Sequence, residues 1–294
     1  MTNAAVPHVS TVKALRATVA GWRKGGSRVA LVPTMGALHA GHLDLVRLGR
    51  RHADKVVVSI FVNPAQFAPH EDLDRYPRTF EADLAALAMV DCDLVWAPTV
   101  TEMYPPGHAT RVVPAGAAEG LETDFRPHFF AGVATVCTKL FTQVAPDVAI
   151  YGEKDFQQLA VMRQLVRDLD LPMEIIGAAT VREADGLAMS SRNRYLSESE
   201  RKIAPSMNRI LRGLANSLVV EGAALTASSA EVLAAEAALK LTEAGFGKID
   251  YVAVRDAATL ASIDKVQNGG RQGAMRILAA AWLGKTRLID NVAA

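Results

Sequence analysis

Cysteine is scarce in this sequence, with Cys92 and Cys137 the only two among 294 residues. Cys92 precedes an apolar run typical of a strand, and Cys137 lies on the apolar face of a helical pattern. Neither belongs to a CxxC pair, which argues against a zinc site and a disulfide framework. The pattern favours two buried, unreactive thiols over a disulfide or a nucleophile. We therefore expect a reducing, cytoplasmic compartment.

Long apolar runs and an excess of charge of one sign are lacking as well. No uncharged run reaches the roughly 18 residues needed to span a bilayer, and the N-terminal residues lack a signal peptide's apolar stretch. We therefore expect no membrane partner. Lys and Arg number 32 against 31 Asp and Glu, so the net charge is +1. Because nucleic-acid-binding proteins usually carry a basic excess, we also expect no nucleic-acid partner.

Short β-branched runs alternate with amphipathic helical patterns over the first 180 residues. The patterns predict strands at 28–32, 56–62, 93–97, 148–151 and 174–178, and helices at 41–52, 81–89, 133–144 and 156–169. Parallel strands require crossover connections. The sequence thus predicts an α/β fold, a Rossmann-like parallel sheet with helices on both faces, over residues 1–180.

The pattern changes after about residue 180. Ser197 and Glu200 form a capping-box signature before a helix predicted to begin near Arg201. Further on, the patterns predict an Ala-rich helix at 230–244, a strand at 249–254, an Ala-rich helical stretch ending near Leu283, and a last strand at 286–289. We therefore predict a smaller α+β C-terminal domain over residues 181–294.

The most informative segment, VPTMGALHAGH, runs from Val32 to His42 and joins the first strand to the first helix. Ligands bind at the carboxyl ends of parallel strands, and backbone N–H groups at a helix start favour phosphate. His39 and His42 can face the same phosphates if the helix begins between them. Two histidines at a helix start are usually surface groups, but the position after a first strand, near Gly36, favours catalysis.

Two other segments carry groups suited to phosphate. Lys154 lies in YGEKD at the end of a predicted strand, where it can act as a point charge on phosphates. Ser190, Ser191 and Arg192 lie in a loop near the predicted domain junction and could clamp a leaving pyrophosphate. The alternative for Lys154 is a solvated lysine beside two acidic residues. Considered alone, Ser190 to Arg192 reads more simply as a common polar loop.

Together these segments resemble the pantothenate synthetase family, the pantoate–β-alanine ligases of the HxGH nucleotidylyltransferase superfamily. The resemblance runs from about Val32 to Asn291 and includes PTMGALHAGH, SIFVNPAQF, YPRT, GEKDFQQL, DGLAMSSRNRYLS and TRLIDN. It implies that the carboxylate of pantoate attacks ATP, giving pantoyl adenylate and pyrophosphate. The amine of β-alanine then displaces AMP and forms pantothenate.

The resemblance, read with the chemistry of the side chains, also implies the site residues. The catalytic candidates are His42, which matches the proton donor, with His39, Lys154, Ser190, Ser191 and Arg192. The candidates for ATP binding are Met35, Gly36, Ala37, Leu38, His39, Ala40, Gly41, His42, Gly152, Glu153, Lys154, Asp155, Val181, Met189, Ser190, Ser191 and Arg192. Gln66 matches a glutamine that touches pantoate and β-alanine, and Gln158 matches a second pantoate ligand.

Further expectations follow from the same resemblance. Residues 1–180 would bind ATP and pantoate, residues 181–294 would form a lid, and the protein would work with Mg²⁺, usually as a homodimer. Mg²⁺ can rely largely on ATP phosphates and water. Asp83 could supply a ligand or could simply complement a helix dipole, so the metal ligands stay open.

One motif departs from the family pattern R-P-x-H-F-x-G-V. Phe129 occupies the position of the family histidine, and His128 stands one place earlier. We expect His128→Ala to lower the rate less than about tenfold, or about 1.4 kcal/mol. The rival reading is a cofactor adenylyltransferase of the same superfamily, which would keep AMP attached to its product; free AMP among the products would distinguish the two.

Overall fold

The computed structural model describes residues 6–69, 71–222, 225–263 and 275–294. The chain divides into two compact units. Unit 1 comprises the described residues within Met1–Glu153 and Val161–Ala179, and unit 2 those within Lys154–Ala160 and Thr180–Ala294. The short stretch 154–160 therefore groups with the C-terminal residues. The predicted boundary at residue 180 and the lid role of the C-terminal part stay predictions.

A six-stranded, all-parallel sheet forms the centre of unit 1, as far as the described residues show. Its strands are β1 (His8–Val9), β2 (Val29–Thr34), β3 (Lys55–Ile60), β4 (Leu94–Trp96), β5 (Val148–Gly152) and β6 (Glu174–Ala178). Their order in space is β1-β4-β3-β2-β5-β6. The predicted Rossmann-like α/β fold is confirmed.

The α-helices between residues 12 and 168 are α1 (Val12–Lys24), α2 (Ala40–His52), α3 (Phe80–Ala88), α4 (Val100–Met103), α5 (Glu122–Phe125), α6 (Phe129–Val144) and α7 (Phe156–Asp168). They include α2 and α6, which contact the sheet, and α7, whose residues 156–160 belong to unit 2. The two-residue strand β1 and helix α1 were not predicted, although Thr11 at the N-cap and the buried Leu15 and Val19 on one face are signals of α1 that the sequence contains.

Successive side chains of each strand point to opposite faces of the sheet, and helices pack on both faces, as a parallel sheet requires. On one face, Ile150 of β5 belongs to the apolar cluster that includes Val46 of α2. On the other face, Trp96 Nε1 donates to Gln143 Oε1 of α6 at 3.3 Å. Tyr151, next to Ile150, also points to α6, where its hydroxyl donates to the Cys137 sulfur at 3.3 Å.

Unit 2 contains an antiparallel sheet in the order β7-β8-β9, formed by Lys248–Asp256, Met275–Leu283 and Thr286–Ala293. Helices α8 (Glu198–Ile203), α9 (Ser206–Glu221) and α10 (Ala227–Glu243) belong to the same unit. Their apolar residues form one cluster with alternate residues of β8, from Ile277 to Leu283. This is the predicted smaller α+β arrangement.

The prediction of an Ala-rich helix ending near Leu283 was wrong. Met275–Leu283 is strand β8, and residues 264–274 lie outside the described residues. Alanine favours helix in isolation. Here strand β8 lies between β7 and β9 and is buried on both faces from Ile277 to Ala281, where small side chains are accommodated. Tertiary pairing therefore overrides the local preference.

The predicted capping box is confirmed, with an earlier helix start than predicted. The Glu200 N–H donates to Ser197 Oγ at 3.3 Å, and the Ser197 N–H donates to Glu200 Oε2 at 2.7 Å. Helix α8 begins at Glu198 and ends at Ile203, and α9 begins after Pro205. Among the described residues, no helix is both long and apolar enough to cross a membrane.

Candidate active site

The sheet of unit 1 reverses its winding direction between β2 and β5. Strands β3 and β4 follow β2 toward one edge, whereas β6 follows β5 toward the other. In open α/β sheets, ligands bind outside the carboxyl ends of the strands at such a reversal. The segment Met35–His39 leaves β2 at this point, and Gly152 ends β5 beside it. The fold thus brings two predicted ATP-binding segments to neighbouring strand ends.

A buried carboxylate holds the loop after β2. Gly36 and Ala37 have φ values of 82° and 51°, so the backbone turns sharply through the left-handed region. Asp83 of α3 is 3% exposed, and its two carboxylate oxygens accept the N–H groups of Ala37 at 3.0 Å and Leu38 at 2.9 Å. The Thr79 hydroxyl is 3.1 Å from Asp83 Oδ1. These two N–H groups are therefore committed to Asp83 rather than open to a phosphate.

His39 and His42 lie side by side at the start of α2. The helix begins at Ala40, with His39 as its N-cap, and the two ring centroids are 4.1 Å apart. The His39 N–H donates to His42 Nδ1 at 3.3 Å. Because Nδ1 acts as an acceptor, a neutral His42 carries its proton on Nε2. The helix thus begins between the two histidines and their rings lie together, whereas their contact with phosphate stays a prediction.

Gln66 is oriented by a chain of hydrogen bonds after β3. Asn63, 1% exposed, donates from Nδ2 to Gln66 Oε1 at 3.1 Å and to the Gly132 carbonyl at 3.2 Å. Asn63 is itself held by the Tyr104 hydroxyl, which donates to its Oδ1 at 2.8 Å. The Gln66 Nε2 contacts the sulfur of Met35 at 3.0 Å. Two predicted site residues, Met35 and Gln66, are thus brought into contact.

The family's histidine position, occupied by Phe129, supports an arginine rather than offering a polar group. The Arg126 guanidinium lies over the Phe129 ring, 3.9 Å from its centroid. Arg126 also forms two hydrogen bonds with the Glu71 carboxylate, at 2.9 and 2.5 Å, and donates to the Gln66 carbonyl at 3.2 Å. His128 Nε2 lies 3.7 Å from Glu71 Oε1. The departure therefore leaves the Gln66 backbone firmly held.

The second predicted segment divides between the two units. Gly152 and Glu153 belong to unit 1, whereas Lys154, Asp155 and Gln158 belong to unit 2. Lys154 and Asp155 lie in a 3-10 turn that leads into α7, with Lys154 Nζ 3.7 Å from Asp155 Oδ2. Gln158 lies in the first turn of α7 and is half-buried. The Lys154 side chain is 20% exposed, so it is positioned rather than freely solvated.

The third predicted segment forms a compact turn in unit 2. The Met189 N–H donates to the Val181 carbonyl at 3.0 Å, which brings these two predicted residues together. Ser190 caps the 3-10 turn Ser191–Tyr195 by accepting the Arg192 N–H at 3.3 Å. Ser191 is buried and Arg192 is half-buried. Local hydrogen bonding therefore fixes the backbone that carries the predicted pyrophosphate clamp.

Several residues that support the site were not predicted for that role. For Asp83, the sequence suggested only a metal ligand or a partner of the helix dipole. An acidic residue in the first turn of a helix gives no signal that it also binds the loop at Ala37 and Leu38. The other long-range partners are Tyr104 for Asn63, Arg126 for Gln66, Asp290 for Arg182 and Asn291 for Lys154. For the last two, the match of TRLIDN to the family was a signal, but it named no role.

A doubly wound α/β sheet with an HxGH segment at its winding reversal is typical of nucleotide-binding enzymes. Comparison with known proteins identifies the particular family. Residues 7–293 match the sequence profile of pantoate–β-alanine ligases. The chain belongs to this family, and it is an ATP-dependent ligase that forms pantothenate from pantoate and β-alanine.

Similar proteins match the chain over nearly its whole length. It is 58% identical to a pantothenate synthetase of Mesorhizobium japonicum over 285 residues, 97% of this chain and 96% of the relative. A pantothenate synthetase of Caulobacter vibrioides is 53% identical, with 97% of each chain covered. The crystal structure of pantothenate synthetase from Thermus thermophilus has a TM-score of 0.85 at 44% identity, covering 98% of this chain and 99% of that one.

A further solved structure carries ligands. The pantoate–β-alanine ligase from Francisella tularensis, described as complexed with β,γ-ATP and β-alanine, has a TM-score of 0.79 at 32% identity and covers 98% of each chain. The whole-chain match to ligases, including the C-terminal residues, favours this activity over the rival adenylyltransferase.

Proposed function

We propose that this ligase works in two half-reactions through a pantoyl adenylate. In the first, a carboxylate oxygen of pantoate attacks the α-phosphorus of ATP, and the bond to the bridging oxygen breaks to release pyrophosphate. In the second, the amine of β-alanine attacks the acyl carbon, loses a proton, and AMP leaves. The observation that supports this most directly is the paired His39 and His42 at the winding reversal of the sheet.

Each candidate side chain then has a role that suits its chemistry. The His42 Nε2–H donates to phosphate oxygens that gain negative charge as the first transition state forms. Its Nδ1 is held by the His39 backbone, so the ring presents Nε2 in one orientation. Lys154 and Arg192 offset the charge that develops on the departing pyrophosphate.

The neutral amides of Gln66 and Gln158 bind pantoate in this proposal. Pantoate offers a carboxylate and two hydroxyls, which the amides of Gln66 and Gln158 can meet with both donors and acceptors. The Gln66 amide is set by Asn63 on its oxygen and by Met35 on its nitrogen side. A preset amide lowers the entropy lost when the substrate is ordered.

Mg²⁺ would reach the enzyme on its nucleotide. Among the described residues, no three His, Cys, Asp or Glu side chains cluster as a cation site. The carboxylate of Asp83, the earlier candidate, is engaged by two backbone N–H groups. We therefore propose that Mg²⁺ is held by the phosphates of ATP and by water, and we assign it no protein ligand.

Assembly and compartment are also proposals. The family resemblance supports a homodimer, which light scattering on the purified protein would test. A cytoplasmic location is supported by two cysteines that are free and buried, and cell fractionation would test it. The near-neutral net charge supports small-molecule substrates over nucleic acid as partners.

ATP–pyrophosphate exchange with and without pantoate tests the adenylate. We expect exchange that requires pantoate, followed by free AMP and pantothenate once β-alanine is added. His42→Ala and Lys154→Ala should each lower the exchange rate by about 100-fold or more. His52→Ala is the matched control, since His52 is exposed at the other end of α2 and its loss should leave exchange unchanged. Exchange without pantoate, or AMP retained on the product, would refute the proposal.

A further inference from the structure

The last strand of unit 2 contains two adjacent buried polar residues. Asp290 is 5% exposed and Asn291 is 3% exposed, both on β9. Neighbouring side chains of a strand point to opposite faces, so the two serve different partners. A strand in a small apolar sheet does not need two buried polar groups for its own stability, because burial of such groups is unfavourable unless they are well paired.

Asn291 binds the backbone of Lys154 directly. Its Nδ2 donates to the Lys154 carbonyl at 2.8 Å, and its Oδ1 accepts from Arg276 Nε at 2.6 Å. The bond from Arg276 decides which end of the amide is oxygen, and so aims the N–H₂ at Lys154. The Arg276 guanidinium also lies over the Phe156 ring, 4.1 Å from its centroid. Lys154 and Phe156 are thus held at two points by one side-chain pair.

Asp290 holds the segment that begins at Val181, through the side chain of Arg182, as Asn291 holds the backbone of Lys154. Its carboxylate accepts two hydrogen bonds from the Arg182 guanidinium, at 2.7 and 2.8 Å, and a third from Asn208 at 3.2 Å. Arg182 also donates to the Gly186 carbonyl at 3.1 Å and to the Asn291 carbonyl at 3.3 Å. The turn that begins at Val181 is therefore tied to β9 through a bidentate ion pair whose carboxylate is buried and whose guanidinium is half-buried.

We propose that Asn291 is a positioning residue for Lys154, and that Asp290 positions the turn that carries Ser190 to Arg192. Strand β9 thereby holds both phosphate-handling segments of unit 2 in a fixed relation. This inference rests on the proposed role of Lys154 in adenylation. Neither Asn291 nor Asp290 touches substrate in this scheme, and each acts through the group it holds.

A double-mutant cycle tests the link between Asn291 and Lys154. In the wild-type background, Asn291→Ala should lower kcat/KM for ATP in the exchange reaction by about 10-fold or more, because a misplaced phosphate ligand loses much of its effect. Asn291→Asp should lower kcat/KM for ATP by a similar factor, since aspartate keeps the shape of the side chain but cannot donate to the Lys154 carbonyl. In a Lys154→Ala background, Asn291→Ala should change the rate less than about threefold.

Controls separate positioning from stability and from the function itself. Trp282→Phe removes a hydrogen bond to Asp250 elsewhere in the same sheet and should lower the melting temperature without changing kcat/KM. All rates are taken well below each variant's melting temperature. If exchange in Lys154→Ala is below detection, the ATP dissociation constant is measured by calorimetry in its place.

The outcomes are distinct. Equal losses from Asn291→Ala in both backgrounds, or a loss matched by Trp282→Phe, would overturn the positioning role. A wild-type protein that shows no pantoate-dependent exchange would instead overturn the proposed function, whatever Asn291 does.

Discussion

Replacing Asp83 should weaken both the fold of unit 1 and its chemistry. The carboxylate accepts the buried N–H groups of Ala37 and Leu38. A hydrogen bond to a charged group contributes about 1.5–3 kcal/mol, so Asp83→Ala should lower the free energy of unfolding by about 3 kcal/mol or more. Asp83→Asn should lose less, because it keeps one acceptor oxygen. Both variants should reduce the rate of pyrophosphate exchange, because the loop that ends in His39 is no longer held.

The matched control is Glu81→Ala, in the same first turn of α3. Glu81 is exposed, so its loss removes a favourable charge at the helix start and little else, about 0.3–1 kcal/mol. Urea unfolding followed by tryptophan fluorescence in a Trp282→Phe background would report on Trp22 and Trp96 of unit 1. If Asp83→Ala and Glu81→Ala differ by less than about 0.5 kcal/mol, Asp83 serves only the helix dipole and the reasoning fails.

Three further predictions concern other parts of the chain. A Cβ at Gly132 would overlap the Ala65 carbonyl, so Gly132→Ala should displace the turn carrying Gln66, raise KM for pantoate and destabilise the fold by about 1–3 kcal/mol. Gly21→Ala in α1, where the added methyl meets nothing, should leave KM unchanged. Burial raises the pKa of Cys92 to about 12 and of Cys137 to about 11, so iodoacetamide at pH 8 should modify both, by mass spectrometry, only after denaturation; lost activity in a folded, alkylated enzyme would contradict this. Burial alone raises the pKa of Asp250, but hydrogen bonds from Arg287 and Lys248 hold it below its usual value. A depressed pKa stabilises the fold above the unfolded pKa, so Asp250→Asn should lower the melting temperature at pH 7, and the difference from wild type should shrink below about pH 4; a difference independent of pH would refute the assignment.

Local patterns were reliable where they agreed with the tertiary environment. The buried run ending at Ile60 reads as a strand because its β-branched residues are covered on both faces. The capping box at Ser197 is a short-range interaction that the sequence contains in full. By contrast, Ala279 to Ala281 favour helix locally and become strand through pairing with β7 and β9. No local pattern contains that pairing.

The site shows the same division. The sequence by itself determined the chemical groups: the HxGH histidines at the end of a first strand, the lysine of GEKD, and enough ordered motifs to indicate the family. Only the tertiary structure decided which groups are held and how. It committed the Ala37 and Leu38 N–H groups to Asp83, and it joined Asn291 to Lys154 across 137 positions. Long-range hydrogen bonds depend on which elements the fold brings together, and the residues next to each partner in the sequence do not indicate which distant group it binds.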